Sequence, residues 1–167
     1  MPVEQLVRLQ REIQTEATSA DEGIRRMGVM DRAWFLLMLH SGLRTNEVRR
    51  LRSSDLDLDA KRVRIEQSKW LKDRMVYLSS ATVDALNAYL AVRGPSALAE
   101  NHVFLYRHVP LNDTYCGTRL YTYGERCDVY VTPHQLRHSC ATFLLNAGAS
   151  VTTPSYARVY DGTVAAD

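Results

Sequence analysis

Two arginines from distant parts of the chain have the chemistry of a phosphate clamp. Arg44 lies in Ser-Gly-Leu-Arg-Thr-Asn-Glu-Val, after a long apolar run that Gly42 is expected to end, and Arg137 lies in His-Gln-Leu-Arg-His. A planar guanidinium donates two hydrogen bonds to a phosphate and stays charged at any working pH. Most arginines are surface ion-pair partners, but these two lie beside helix signals that would support them rigidly. We therefore predict that Arg44 and Arg137 converge on one phosphate.

Cleavage of a phosphodiester without a metal needs a nucleophile, cations around the non-bridging oxygens and an acid for the leaving oxygen. The chain holds nine tyrosines and 21 lysines and arginines, so it has candidates for all three. His134 and His138 have the spacing of zinc ligands on a helix, but no third ligand is evident and the motif His-Glu-x-x-His is missing. We therefore predict no metal and no other cofactor.

The helix that must carry Arg137 has the clearest local signal. Thr132–Gln135 reads as a capping box, with Pro133 at the first helical position. His134, Arg137 and His138 then share one face near the helix start, because residues three and four apart are neighbours on a helix. The helix N-terminus itself favours an anion at this place.

Two helices are predicted before Arg44. Residues 3–17 repeat apolar side chains at helical spacing, which indicates an amphipathic helix. Gly23 and Gly28 are expected to interrupt the segment that follows. The run 33–39 is apolar nearly all round, so it should form a buried helix with Asp31 as its N-cap.

A β-hairpin is predicted between the two arginines. Residues 62–67 and 74–78 alternate between polar and apolar around a polar turn, and Lys69 and Lys72 lie in that turn. Further along, the sequence predicts a helix over 80–93, a short strand over 103–105 and a helix over 115–127. The expected fold class is mainly α with a small antiparallel β-sheet.

Composition limits the class of protein more than its function. A chain of 167 residues fits one domain, and 46% apolar with 24% charged residues is ordinary for a globular protein. No apolar run is long enough to span a bilayer and the start lacks a secretory signal, so we expect a cytoplasmic protein without membrane contact. The three cysteines, which show no metal or redox spacing, are expected to be reduced.

The charge is small overall but unevenly placed. The net charge is +2, yet the stretch from Arg44 to Arg74 has ten basic and six acidic residues and so carries +4, which leaves −2 for the remainder. Such clusters are usually solvated faces, but this one also suits a surface that meets phosphates.

Three motifs, in this order, resemble the tyrosine recombinases of the phage integrase family. Gly42-Leu-Arg-Thr-Asn-Glu-Val48 resembles their first arginine box, Glu66-Gln-Ser-Lys69 followed by Lys72 resembles their lysine-bearing hairpin, and Thr132-Pro-His-Gln-Leu-Arg-His-Ser139 resembles their His-x-x-Arg box. The segment from Tyr156 onward resembles the surroundings of their nucleophilic tyrosine. The resemblance runs from about residue 30 to the end and implies the integrase catalytic fold.

The resemblance implies a role for each residue. Tyr156 would attack the phosphorus and hold the DNA 3′ end, while Arg44 and Arg137 stabilise the charged transition state. Lys69 would protonate the leaving 5′ oxygen, and His134 would orient or exchange a proton with the phosphate or the tyrosine.

Lys72 and His138 are expected to add DNA contacts. The implied partner is a double-stranded DNA recombination site, bound in the intact family by a homo-tetramer, for integration or excision. No ATP is required, because the phosphotyrosine retains the free energy of the bond.

The chain also departs from the family pattern. We expect residues 1–167 to form a single catalytic domain that lacks the N-terminal core-binding domain, the Leu-Gly-His box near Val151 and the C-terminal helix. Tyr156 follows Gly148 by only eight positions. The alternatives are therefore a catalytically inactive DNA-binding remnant of an integrase and, from another class, a helix-turn-helix regulator that reads bases.

Overall fold

The computed structural model describes residues 1–67, 72–93 and 101–146, with side chains as far as residue 142. It is mainly helical with two small antiparallel sheets, which confirms the predicted fold class. The elements in chain order are α1 (Val3–Ala17), α2 (Glu22–Ser41), α3 (Thr45–Arg50), β1 (Leu56–Asp57), β2 (Arg62–Ile65), β3 (Arg74–Tyr77), α4 (Ser80–Arg93), β4 (Leu105–Tyr106), β5 (Val109–Pro110), α5 (Tyr115–Cys127) and α6 (Pro133–Asn146).

Helix α2 is the centre of the core, since α1, α4 and α6 all pack against it. Its second half is buried almost completely around Trp34, Leu37 and Met38, each with no exposed surface. This confirms the buried helix predicted from the run 33–39, and Gly42 ends it in the left-handed conformation at φ 68°. Glycine adopts that conformation without the steric cost that a Cβ brings.

The predicted start of this helix is wrong. Helix α2 begins at Glu22 and continues through both glycines, and its N-cap is Asp21, whose Oδ1 accepts from the backbone N–H of Ile24 at 2.9 Å. Gly28 lies where α1 passes: a Cβ there would be 2.3 Å from the backbone nitrogen of Ala17. The glycine therefore permits a close helix contact instead of breaking the helix.

Asp31 is consequently a buried residue in the middle of α2, not an N-cap. Its carboxylate accepts hydrogen bonds from the side chains of Trp34, Tyr115, Arg119 and Tyr123. Burial raises the pKa of Asp31, and the charge of Arg119 together with the hydrogen bonds offsets only part of that effect.

The two strands of the predicted hairpin are confirmed as an antiparallel pair. Strand β2 pairs with β3 in the register Arg62↔Tyr77 to Ile65↔Arg74, and β1 adds a third strand outside β2. The hairpin is also joined to the end of α2, because the Ser41 hydroxyl donates to the backbone carbonyl of Tyr77 at 3.1 Å.

The helices predicted over 80–93 and 115–127 are confirmed as α4 and α5. The strand predicted over 103–105 is displaced, since β4 begins only at Leu105 and turns back into β5. Val103 and Phe104 are fully buried before it, and the Val103 N–H donates to the carbonyl of Leu51 at 2.9 Å. Their apolar character reflects core packing rather than the pairing of a strand.

The predicted capping box of α6 is confirmed in both directions. The backbone N–H of Gln135 donates to Thr132 Oγ1 at 3.2 Å, and the backbone N–H of Thr132 donates to Gln135 Oε1 at 2.9 Å. Of its apolar stripe, Leu136 and Cys140 are buried.

Two further properties concern the whole described chain. All three cysteines are free thiols, and Cys116 and Cys140 are buried. Among the residues that the structure describes, no helix combines the length and the apolar character needed to cross a bilayer.

Candidate phosphate-binding site

One open cavity of about 370 Å³ lies where the end of α2, the start of α6 and strand β3 meet. The described residues around it include three arginines and two histidines but no carboxylate. They are Gly42, Arg44, Arg74, His134, Arg137, His138, Cys140 and Ala141. A larger cavity, of about 490 Å³, lies elsewhere and contains none of the predicted site residues. We attach the chemistry to the smaller cavity because of its charged groups, not its size.

Arg44 is held at the rim of this cavity by the turn between α2 and α3. Gly42 reverses the chain, Leu43 is fully buried, and Arg44 then stands at the N-cap position of α3. The backbone N–H of Arg44 donates to Glu47 Oε2 at 2.8 Å. The side chain of Arg44 remains 59% exposed, so its guanidinium is accessible to a ligand in the cavity.

Arg137 is fixed at the same cavity by a direct contact with that turn. Its Nε donates to the backbone carbonyl of Gly42 at 2.8 Å, across a separation of 95 residues. This hydrogen bond orients the guanidinium plane of Arg137 toward the segment that carries Arg44. The structure therefore brings the two predicted arginines together around one cavity.

A third arginine, Arg74, reaches the cavity from the first residue of β3. Its Nη1 and Nη2 donate to the two carboxylate oxygens of Glu47 at 2.7 and 3.0 Å, a two-point ion pair. Burial alone would raise the pKa of Glu47, but the hydrogen bonds from Arg74 and from the Arg44 backbone outweigh burial and lower it. Glu47 is therefore ionised at neutral pH.

The histidines line the cavity near the start of α6. His134 and His138 are both exposed there, one turn apart. Cys140 lies deeper and is 1% exposed, and burial raises the pKa of its thiol to about 12, with Arg137 opposing that shift. A thiol with this pKa stays protonated near neutrality, so Cys140 is not a competing nucleophile.

Not all of the remaining predicted site residues are among the residues that the structure describes. Lys69 and Tyr156 lie outside the described residues. Lys72 is described and exposed, but it is not among the residues that line the cavity.

Sequence reasoning overlooked Glu47 and Arg74 as members of this site. The signal for Glu47 was present, since an acidic residue three positions after a helix N-cap is the usual capping partner. The alternation that located β3 places Arg74 on a strand, but it does not reveal that its side chain meets Glu47.

Comparison with known proteins accounts for this arrangement. Residues 3–153 match the model of the phage integrase family. The chain is 37% identical over 147 residues to the tyrosine recombinase XerC of Pelotomaculum thermopropionicum, which covers 81% of this chain and 47% of that protein.

Two solved structures share the fold. One is the crystal structure of XerA recombinase, with a TM-score of 0.75 and 24% identity, covering 100% of this chain and 60% of that one. The other is XerH site-specific recombinase bound to its difH substrate in a pre-cleavage complex, with a TM-score of 0.72 and 18% identity, covering 96% and 49%.

The chain spans less than half the length of the curated relatives it matches, between 43% and 47% for the first three. The family model nevertheless covers most of its residues, and the cavity holds the arginines of both family motifs. This chain belongs to the phage integrase family.

Proposed function

We propose that this chain is the catalytic part of an enzyme that cuts and rejoins double-stranded DNA at specific sites through a 3′-phosphotyrosyl intermediate. The observation that carries the proposal is the cavity between Arg44 and Arg137, which the hydrogen bond from Arg137 to Gly42 holds together. A cavity with three arginines and no carboxylate among the described residues that line it suits a phosphodiester, whose transition state gathers negative charge on its non-bridging oxygens.

The reaction follows from the groups around the phosphate. The Tyr156 hydroxyl passes its proton to His134, directly or through the phosphate, and forms a bond to phosphorus, and the bond from phosphorus to the 5′ oxygen breaks. Lys69 supplies the proton to that 5′ oxygen, while His134 exchanges a proton with the phosphate or the tyrosine. The phosphotyrosine conserves the bond energy, so a DNA 5′ hydroxyl reverses the step without ATP.

Arg44 and Arg137 stabilise the five-coordinate phosphorus in this scheme. Two guanidinium groups at one cavity can share the two non-bridging oxygens, each with a planar fork of N–H donors that a lysine ammonium does not match in geometry. The N-terminus of α6 faces the same cavity with His134 and Arg137, so its backbone dipole adds to the attraction.

The partners are proposed on the same basis. The XerH relative was solved with its DNA substrate, and a DNA site is the partner we propose for this chain as well. Assembly as a homo-tetramer on that DNA, and a role in integration or excision, are parts of the same proposal.

The test is covalent capture of DNA. The protein is incubated with a randomised pool of nicked duplexes. Cleavage beside the nick releases a short fragment that bears the 5′ hydroxyl, and because this fragment diffuses away, the phosphotyrosine is trapped. We expect an adduct that resists SDS with the parent chain and with Tyr160→Phe, and none with Tyr156→Phe.

An adduct that persists in Tyr156→Phe would identify a different nucleophile and overturn this assignment. Salt-sensitive DNA binding without any adduct would instead support the inactive DNA-binding remnant. Protection of particular bases without an adduct would support a regulator that reads sequence.

A further inference from the structure

Arg74 lines the cavity, but its guanidinium is paired with a carboxylate. The two guanidinium nitrogens of Arg74 meet the two oxygens of Glu47 in parallel, at 2.7 and 3.0 Å. Glu47 also contacts Arg44 twice, through the backbone N–H at 2.8 Å and through Nη1 at 3.6 Å. One carboxylate thus lies between two arginines of the same cavity.

The two side-chain contacts of Glu47 with arginine differ in geometry. The pair with Arg74 has hydrogen-bond geometry, whereas the guanidinium of Arg44 lies at a longer ion-pair distance. Planar two-point pairing is the stronger interaction of a carboxylate with arginine. While Arg74 occupies both oxygens of Glu47, the side chain of Arg44 keeps 59% of its surface exposed.

Without Arg74, Arg44 would be the one cationic neighbour of Glu47 left among the residues that the structure describes. Its side chain is only 11% exposed, so water replaces the missing partner poorly. An unpaired carboxylate in such a place is costly, and closing the 3.6 Å gap to Arg44 would restore a pair. That new pair would neutralise the guanidinium on which phosphate binding depends.

Arg74 also ties the hairpin to the cavity. It opens β3, two residues after Lys72, while the other end of β3 is joined to α2 through Ser41 and Tyr77. The ion pair with Glu47 therefore anchors the start of β3 to α3, and two contacts at the two ends of one strand fix its direction.

We propose that Arg74 is a positioning residue of this site, which holds Glu47 away from Arg44 and so keeps the Arg44 guanidinium free to bind a DNA phosphate. This inference rests on the proposed function and extends it to a residue outside the family motifs recognised in the sequence. Arg74 acts through Glu47, and its own contact with the DNA is not required.

The experiment is a double-mutant cycle with Arg74→Gln and Glu47→Gln. Arg74→Gln should lower the initial rate of adduct formation by about 10-fold to 100-fold, the range expected when a catalytic group is displaced. Glu47→Gln in that background should recover most of the activity, because glutamine still accepts from the Arg44 N–H but no longer attracts its guanidinium.

DNA affinity, measured on the same duplexes by fluorescence anisotropy, should show the same decrease and the same recovery. The slope of affinity against salt should rise back toward that of the parent in the double variant, since Arg44 is released. Arg74→Lys keeps a positive charge beside Glu47, so its activity and affinity should lie between those of the parent and Arg74→Gln. It replaces Arg74→Gln in the cycle if that variant unfolds.

Three results would overturn the inference. The first is an Arg74→Gln variant as active and as tightly bound as the parent. The second is a double variant no better than Arg74→Gln, which would mean that Arg74 itself grips the DNA. The third is a decrease in activity and affinity that parallels the decrease in the unfolding midpoint across all variants, which would make the role of Arg74 purely structural. If the parent binds DNA but forms no adduct, the proposed chemistry fails while the affinity cycle still decides the role of Arg74.

Discussion

Gly28 of helix α2 lies in close contact with the end of helix α1. A Cβ added there would lie 2.3 Å from the backbone nitrogen of Ala17 and 2.5 Å from the carbonyl carbon of Glu16. Both atoms belong to the main chain, so no side-chain rotation relieves the clash. The two helices would have to separate, and the buried packing of Leu9 and Ile13 on α1 would loosen with them.

Gly28→Ala is therefore expected to destabilise the fold, although alanine is the better helix former by about 1 kcal/mol. We expect a decrease of about 1–3 kcal/mol in the free energy of unfolding, the usual cost of overpacking. Urea titration followed by circular dichroism measures it. Gly117→Ala in α5 is the matched control, because a Cβ there meets only Pro133 at 4.0 Å, and it should be neutral or slightly stabilising. Equal midpoints for the two variants would contradict this account of Gly28.

At the scale of elements, a buried ionic cluster joins α1, α2 and α5. Asp31 on α2 and Glu16 on α1 both receive the guanidinium of Arg119 from α5, and the hydroxyl of Tyr123 contacts both carboxylates. Arg126 adds an outer contact to Glu16 at 2.6 Å. Because one arginine serves two buried carboxylates, its removal affects three helices at once.

Arg119→Leu should therefore lower the free energy of unfolding near pH 7 by about 3–5 kcal/mol, the cost of breaking a buried pair from one side. Burial already raises the pKa of Asp31, and removal of Arg119 should raise it further. Burial alone would raise the pKa of Glu16 as well, but Arg126 and Arg119 outweigh burial and lower it.

The sign of the pH dependence follows from these two shifts. A raised carboxyl pKa destabilises the fold as pH rises through it, whereas a lowered one stabilises the fold above the unfolded pKa, and that stability disappears on acidification. Without Arg119, the ionised forms of both carboxyl groups are less stable in the folded chain. The loss of stability in Arg119→Leu should therefore be largest near pH 7 and smaller near about pH 4. Urea titrations at the two pH values measure it.

Arg126→Leu is the control, since this half-exposed arginine leaves Asp31 untouched and should cost roughly 1 kcal/mol or less. A deficit in Arg119→Leu that does not change with pH would argue against the ionised cluster.

The elements that the sequence predicted well are those whose signals are local. The Thr132–Gln135 capping box and the alternating strands of the hairpin depend on residues close together in the sequence, and both are found where they were expected. Gly28 and Asp31 were misread for the opposite reason. A glycine that admits a neighbouring helix looks, in sequence, like one that ends a helix, and an aspartate paired with Arg119 looks like an N-cap.

The site was predictable in part for a similar reason. Arg44 and Arg137 stand in recognisable motifs, so their meeting was expected, whereas the pairing of Arg74 with Glu47 depends on a contact between residues 27 positions apart that no local pattern reveals. Lys69 and Tyr156 stay predictions, as they lie outside the described residues.

At the scale of the whole molecule, the site exists only because the fold joins three separate segments. The end of α2 carries the Arg44 turn, the start of β3 carries Arg74, and the start of α6 carries Arg137, whose hydrogen bond to Gly42 connects α6 to the turn. Three arginines are gathered around this cavity, while the net charge of the chain is only +2. DNA binding should therefore depend on a few arginines rather than on overall charge.

This dependence can be measured through salt. Each neutralised phosphate releases condensed counterions, so the slope of log affinity against log salt changes by about 0.9 for each phosphate that a variant no longer neutralises. We expect Arg137→Gln to weaken binding to short duplexes of any sequence and to reduce the slope by about 1 between about 50 and 200 mM salt.

Arg26→Gln is the matched control for that measurement. Arg26 is also a half-exposed arginine on the surface, but it lies sixteen residues before Gly42 on α2, about 24 Å along the helix axis. Its removal changes the total charge as much as Arg137→Gln does, yet it should leave the slope unchanged because it does not meet the same DNA phosphate. If both variants lowered the slope equally, binding would follow overall charge and the cavity would not be the place where the DNA backbone is held.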